Sequence, residues 1–125
     1  MMRERSTPER QDADKRGREA EAQAAMRLTQ QGWRIVAERV QTKAGEIGLI
    51  DKVHGLVAFV EAKWRVRAAS LGDAIDERRL TRVAKAAEVV AHEYATNGEG
   101  SRIDVILLAP GRKPTHIENA WMPFG

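Results

Sequence analysis

Cysteine is absent from this chain. Its absence excludes thiolate zinc sites, disulfides and cysteine nucleophiles. No apolar run approaches the ~20 residues that cross a bilayer as a helix. The opening segment, MMRERSTPERQDADKR, lacks the apolar stretch of a secretory signal. Together these absences lead us to expect a cytoplasmic protein, with the missing cysteines counting only weakly. The sequence has no phosphate-cradling glycine loop, no nucleophile elbow, no internal repeat and no low-complexity segment. His54, His92 and His116 are too scattered for metal-ligand spacing, and each is expected at a turn or on the surface.

What is present favours one domain with one core. The chain has 125 residues, of which 42% are hydrophobic and 31% charged. The net charge of +3 is small, but it is unevenly placed. From Lys63 to Lys85 there are seven basic residues (Lys63, Arg65, Arg67, Arg78, Arg79, Arg82, Lys85) against three acids, Asp73, Asp76 and Glu77. That window carries +4 and the remainder −1. A basic zone of this kind suits a polyanion-binding surface, with a solvated helix face as the commoner alternative.

Periodicity outlines the fold. Residues 1–14 are polar and are expected as a flexible arm, with a single domain over 15–125. A helix is expected over 15–31, with Gly17, Glu21, Ala24 and Leu28 on one stripe and Ala20 and Ala25 beside it. Strands are expected at 33–40, 46–51 and 56–64. The third contains an unbroken apolar run from Leu56 to Val60, which predicts burial on both faces. A helix over 76–95 carries the stripe Leu80, Val83, Ala84, Ala87, Val90, Ala91 and Tyr94. A buried strand at 102–109 follows, and THIENAW is a short last strand. A mixed sheet flanked by helices is the natural packing for this order.

Strand alternation puts Val57, Phe59, Glu61 and Lys63 on one face, and Glu46, Gly48 and Ile50 together on a face of the preceding strand. If those strands pair, Glu46 and Glu61 meet at one end of the sheet. Two carboxylates and a lysine there suit a hard cation such as Mg²⁺, which can hold a phosphodiester oxygen and activate water. From spacing alone, Glu61-Ala62-Lys63 reads as an exposed strand end, because E-x-K arises often by chance. Its place directly after a buried run raises the functional reading, since burying ionisable groups is costly unless they are paired or metal-bound. Trp33 is expected in the core, whereas Trp64 follows Lys63 and is a candidate to face substrate. Asp104 is expected to pair with Arg102 or cap a sheet end.

The ordered set RGREAEAQAA, GEIGLID, LVAFVEAKWR, LGDAI, SRIDVILL and HIENAW resembles the YraN-like family of bacterial endonuclease-like proteins. The resemblance covers about Arg16 to Trp121. It implies membership of the PD-(D/E)xK nuclease superfamily, near archaeal Holliday-junction resolvases, and so a restriction-endonuclease-like α/β fold. It further implies phosphodiester cleavage with Mg²⁺ or Mn²⁺, and nucleic acid as partner, DNA ahead of RNA; a second copy of the chain is a further expected partner. Carried over residue by residue, Glu61 and Lys63 fit the catalytic acid and lysine. Glu21, Glu46 and Glu61 fit the metal-binding acids, and Arg65, Arg67, Arg79 and Arg82 are the candidate phosphate contacts. One position departs from the pattern: the family has aspartate where this chain has Gly48. That aspartate is the superfamily's expected principal metal ligand. Asp51 is not expected to replace it, since by alternation it points to the opposite face.

Overall fold

The structure is a computed structural model that describes residues 7–64 and 76–121. Helix α1 spans Pro8–Gln30. Strands β1 (Arg34–Thr42), β2 (Gly45–Val53) and β3 (Leu56–Trp64) follow. Helix α2 (Glu77–Tyr94), β4 (Gly100–Leu108) and β5 (Thr115–Ile117) complete the order. The five strands form one sheet in sequential order. β1–β2, β2–β3 and β4–β5 pair antiparallel, while β3 and β4 pair parallel. The parallel pair requires a crossover, and α2 lies on that connection. This five-stranded mixed sheet flanked by two helices is consistent with a restriction-endonuclease-like fold.

Each helix buries a stripe on its own side of the sheet. On one side Ala20, Ala24 and Leu28 of α1 pack with Trp33, Leu49, Ala58, Val60, Ile106 and Leu108. On the other, Leu80, Val83, Ala86, Ala87 and Val90 of α2 pack with Val57, Phe59, Ile103 and Val105. The apolar run Val57–Val60 is fully buried because alternate residues feed both cores. Each large side chain so buried contributes roughly 1.5–3 kcal/mol. The β2–β3 hairpin turns on His54 and Gly55, both with positive φ (29° and 77°). Two such residues in a two-residue loop match the twist of the flanking strands, and glycine takes the second position without a Cβ clash.

Two local readings of the sequence differ from the structure. The first helix begins at Pro8, before the expected start at residue 15. Thr7 O accepts from Gln11 N at 2.9 Å, and Pro8 and Glu9 suit a helix's first turn. Apolar periodicity carries no trace of this turn because it is exposed. The second difference lies in β2. Ile47 and Ile50 both face the α2 core, with Leu49 between them on the α1 side. Alternation therefore breaks at Gly48. Arg39, which stands opposite between the pairs Glu38↔Leu49 and Val40↔Ile47, takes φ 50°. Gly48 consequently does not share the face of Ile50.

Candidate nucleic-acid interface

The break in β2 opens the site. The β2–β3 ladder runs from Val53↔Leu56 to Leu49↔Val60 and stops there, although both strands continue. Beyond it Gly48 and Glu61 lie at the mouth of a fork. Glu21 of α1 reaches this fork from the α1 side. A Cβ at Gly48 would lie 3.2 Å from Glu21 Oε2 and 3.4 Å from Val60 O. Glycine here permits a close approach: a Cβ at position 48 would require the Glu21 carboxylate, the end of a flexible side chain, to give by a few tenths of an ångström.

Glu61 continues the α2-facing row of Val57 and Phe59, as alternation predicts. It meets Arg79 in the first turns of α2, with Arg79 Nε 2.9 Å from Glu61 Oε1. Glu21 is paired in the same way, with Arg39 Nε 3.0 Å from its Oε1. Glu46 and Glu61 line one cleft of about 570 Å³ together with Gly45, Asp76, Arg78, Arg79, Arg82 and Val83. The two acids therefore line one cleft at the same end of the sheet, although the β2–β3 ladder ends before either of them.

The carboxylates feel one another. Burial pushes Glu61 above the ordinary carboxylate range; Arg79 and Lys63 pull it back, and Glu46 adds to the rise. Glu21 is raised for the same reason, burial first, with Arg39 opposing and Glu46 and Glu61 adding repulsion. Asp76 caps α2 by accepting from Arg78 N at 3.0 Å and Arg79 N at 3.3 Å. Its pKa is lowered chiefly by the bond from Arg79 N. Lys63 acts electrostatically on both Glu61 and Asp76.

Among the described residues, no three carboxylate or imidazole side chains gather closely enough to hold a metal ion. The donor set explains why. Position 48 supplies no oxygen, and Glu21 and Glu61 are each already neutralised by a guanidinium. The described residues of the fork do not by themselves fit a divalent cation.

Of the expected phosphate contacts, Arg79 and Arg82 line the cleft. Arg65 and Arg67 lie outside the described residues. Arg78, Arg82 and Lys85 project from the exposed face of α2. Trp64 packs against the α1-side core rather than facing a cleft. A Trp after the lysine stays on the α1 side because Val60, Ala62 and Trp64 alternate with Glu61 and Lys63.

Sequence reasoning missed Arg39, whose role depends on the break opposite Gly48. It also misplaced His116, which is largely buried, with Nε2 2.7 Å from Asp104 Oδ2. Asp104 pairs with Arg102 as expected: Nε donates to Oδ1 at 2.9 Å and Nη2 to Oδ2 at 3.1 Å. Asn119 N adds a bond to Oδ1 at 2.9 Å. Burial alone would raise Asp104, but the bonds from His116, Arg102 and Asn119 outweigh it and hold the group low. Arg102 also lies over the Trp33 ring, 5.4 Å from its centroid. The short β5 pairs His116 with Ile106 and so brings that histidine into the sheet, next to Asp104.

Residues 20–108 match the family described as "Uncharacterised protein family UPF0102". The chain belongs to this family. The matched span of the UPF0102 chain runs from the buried half of α1 to the end of β4. It thus contains Glu21, Gly48, Glu61, Lys63, Arg79 and Arg82, and leaves out β5 with His116. Among similar proteins, a UPF0102 protein of Erythrobacter litoralis is 59% identical over 114 residues, covering 91% of this chain and 98% of the relative. A UPF0102 protein of Sphingopyxis alaskensis is 50% identical over 111 residues, covering 89% and 96%. One from Rhizorhabdus wittichii is 49% identical over 109 residues, covering 87% and 92%. Among the described residues no helix is long and apolar enough to cross a membrane.

Proposed function

We propose that this UPF0102 protein binds nucleic acid, DNA ahead of RNA, on a PD-(D/E)xK endonuclease scaffold whose metal-dependent cleavage is crippled. The observation that carries the reading is the cleft at the fork. Arg78, Arg79 and Arg82 converge there on the same end of the sheet as Glu46 and Glu61. Guanidinium groups recognise phosphate through paired N–H donors, and three spaced along one helix suit a phosphate backbone. Glu61 and Lys63 hold the positions of the nuclease acid and lysine. Lys63 lies close enough to act on Glu61, behind burial and Arg79 in effect. Divalent Mg²⁺ or Mn²⁺ would have to displace guanidiniums from Glu21 and Glu61 and find no oxygen at Gly48. Its binding is therefore proposed to be weak, and hydrolysis slow or absent.

The test is electrostatic. Arg82 and Lys85 are exposed on α2 and belong to neither core. Reversing both to glutamate should leave the melting temperature nearly unchanged. It should weaken binding of a labelled duplex DNA and reduce the slope of log K against log[salt] by about 1 for each phosphate that the variant no longer neutralises. Fluorescence anisotropy across a salt series reads both. An unchanged affinity and slope would reduce this face to an ordinary solvated surface and favour a protein that keeps the fold alone.

A further inference from the structure

We infer that Arg79 is a latch shared between Glu61 and a nucleic-acid phosphate, so that this cleft takes a phosphodiester with arginine standing in for a divalent cation. The inference rests on the nucleic-acid reading above and adds a regulation to it.

Three observations carry it. First, the Arg79–Glu61 pair is asymmetric. The Glu61 side chain is only 13% exposed while that of Arg79 is 56% exposed. The acid is fixed in the fork, and the guanidinium stands half in the cleft. Its five N–H donors in a rigid fork allow it to hold a carboxylate on one edge and present another edge to a second anion. Second, among the described residues that line the cleft, acids and arginines are equal in number. Glu46, Glu61 and Asp76 oppose Arg78, Arg79 and Arg82. A phosphate entering such a cleft meets guanidiniums already facing acids, and gains most when Glu61 releases its hold on Arg79. Glu61 is the acid whose pairing with a cleft arginine is direct. Third, the arrangement is duplicated: Arg39 neutralises Glu21 across the gap at Gly48. Two of the three acids expected to hold a metal, Glu21 and Glu61, carry a guanidinium instead. The positive charge that the fold's chemistry requires beside a phosphate is thus supplied by side chains.

A phosphate and a carboxylate compete for Arg79 on nearly equal terms, since each brings one negative charge. What opposes the exchange is leaving Glu61 unpaired in a partly buried site. Glu61 therefore restrains binding, and removing its charge frees Arg79.

A double-mutant cycle in chelator tests this, with a short fluorescein-labelled duplex DNA as probe. Glu61→Gln keeps the side-chain volume and should tighten binding about five- to tenfold. Arg79→Gln should weaken it by about tenfold. In the Arg79→Gln background, Glu61→Gln should change nothing, because the latch has no second partner. Thermal melts establish that each variant folds; should Arg79→Gln fail to do so, Arg79→Met, which keeps an unbranched stem and removes the charge, takes its place, again with no coupling to Glu61 expected. If Glu61→Gln leaves affinity unchanged, weakens it, or tightens it equally in both backgrounds, the latch is overturned while nucleic-acid binding stands. If the wild type binds no duplex at all, the nucleic-acid reading itself falls.

Discussion

Replacing Asp51 with asparagine is expected to stabilise the protein by several kcal/mol at neutral and alkaline pH, and hardly at all near pH 4. Asp51 lies on β2 with no exposed surface, and among the described residues neither carboxylate oxygen has a hydrogen-bond partner. Burial, first, and repulsion from Asp104 push its pKa to about 7; Glu38 adds to the rise and His116 opposes it. The sign follows from proton counting. Between the unfolded value near 3.8 and about 7, the folded chain holds more protons on this group than the unfolded chain. Stability from Asp51 therefore falls as pH rises through that window and levels off above it. Full ionisation in both states forfeits roughly 4 kcal/mol at the limit. Asparagine matches the shape and cannot ionise. Denaturant melts of both proteins at several pH values check this: the difference between them should grow from about pH 4 to about pH 8. A difference independent of pH would mean that Asp51 is paired or hydrated in solution.

The second large effect is expected at the fork. Gly48→Asp should destabilise the metal-free protein by about 1–3 kcal/mol. The new Cβ would press on Glu21 Oε2 at 3.2 Å. The new carboxylate would join Glu21, Glu46 and Glu61, which already repel one another. Gly48→Ala separates the two causes. It keeps the Cβ contact without the charge and regains part of the ~1 kcal/mol that glycine costs in a strand. Adding Mg²⁺ or Mn²⁺ should restore much of the stability of Gly48→Asp, because an ion bound only by the folded chain stabilises it. The same ions should shift the wild type little. If Gly48→Asp is as stable in chelator as the wild type, the three acids are too far apart to form one site. If the wild type gains as much from the metal as the variant does, position 48 is not the missing ligand.

The fold was legible where burial sets the pattern. The Val57–Val60 run, the α2 stripe and the parity that puts Glu61 beside α2 all follow from periods of 2 and 3.6. The missing side chain at Gly48 was also readable. Its surroundings were not, because alternation assumes an unbroken strand. Ile47 and Ile50 on one side, with Arg39 at positive φ opposite, show the break that alternation overlooks. The arginine pairing of the two acids was equally hidden. Arg79 appeared in the sequence as a phosphate contact, and its bond to Glu61 requires β3 and α2 to be adjacent at that height. His116 and Asp104 are twelve residues apart, and no local pattern joins them. Their contact depends on β4–β5 pairing, which a three-residue strand barely announces.

Binding of a labelled duplex DNA by the wild-type protein, measured over a salt series once in chelator and once in Mg²⁺, tests the central claim most directly. Arginine-based recognition predicts binding in both, with log K falling linearly with log[salt], nearly the same affinity, and intact DNA at the end of the titration. Binding that appears only with Mg²⁺, accompanied by cleavage that Glu61→Gln abolishes, would contradict it.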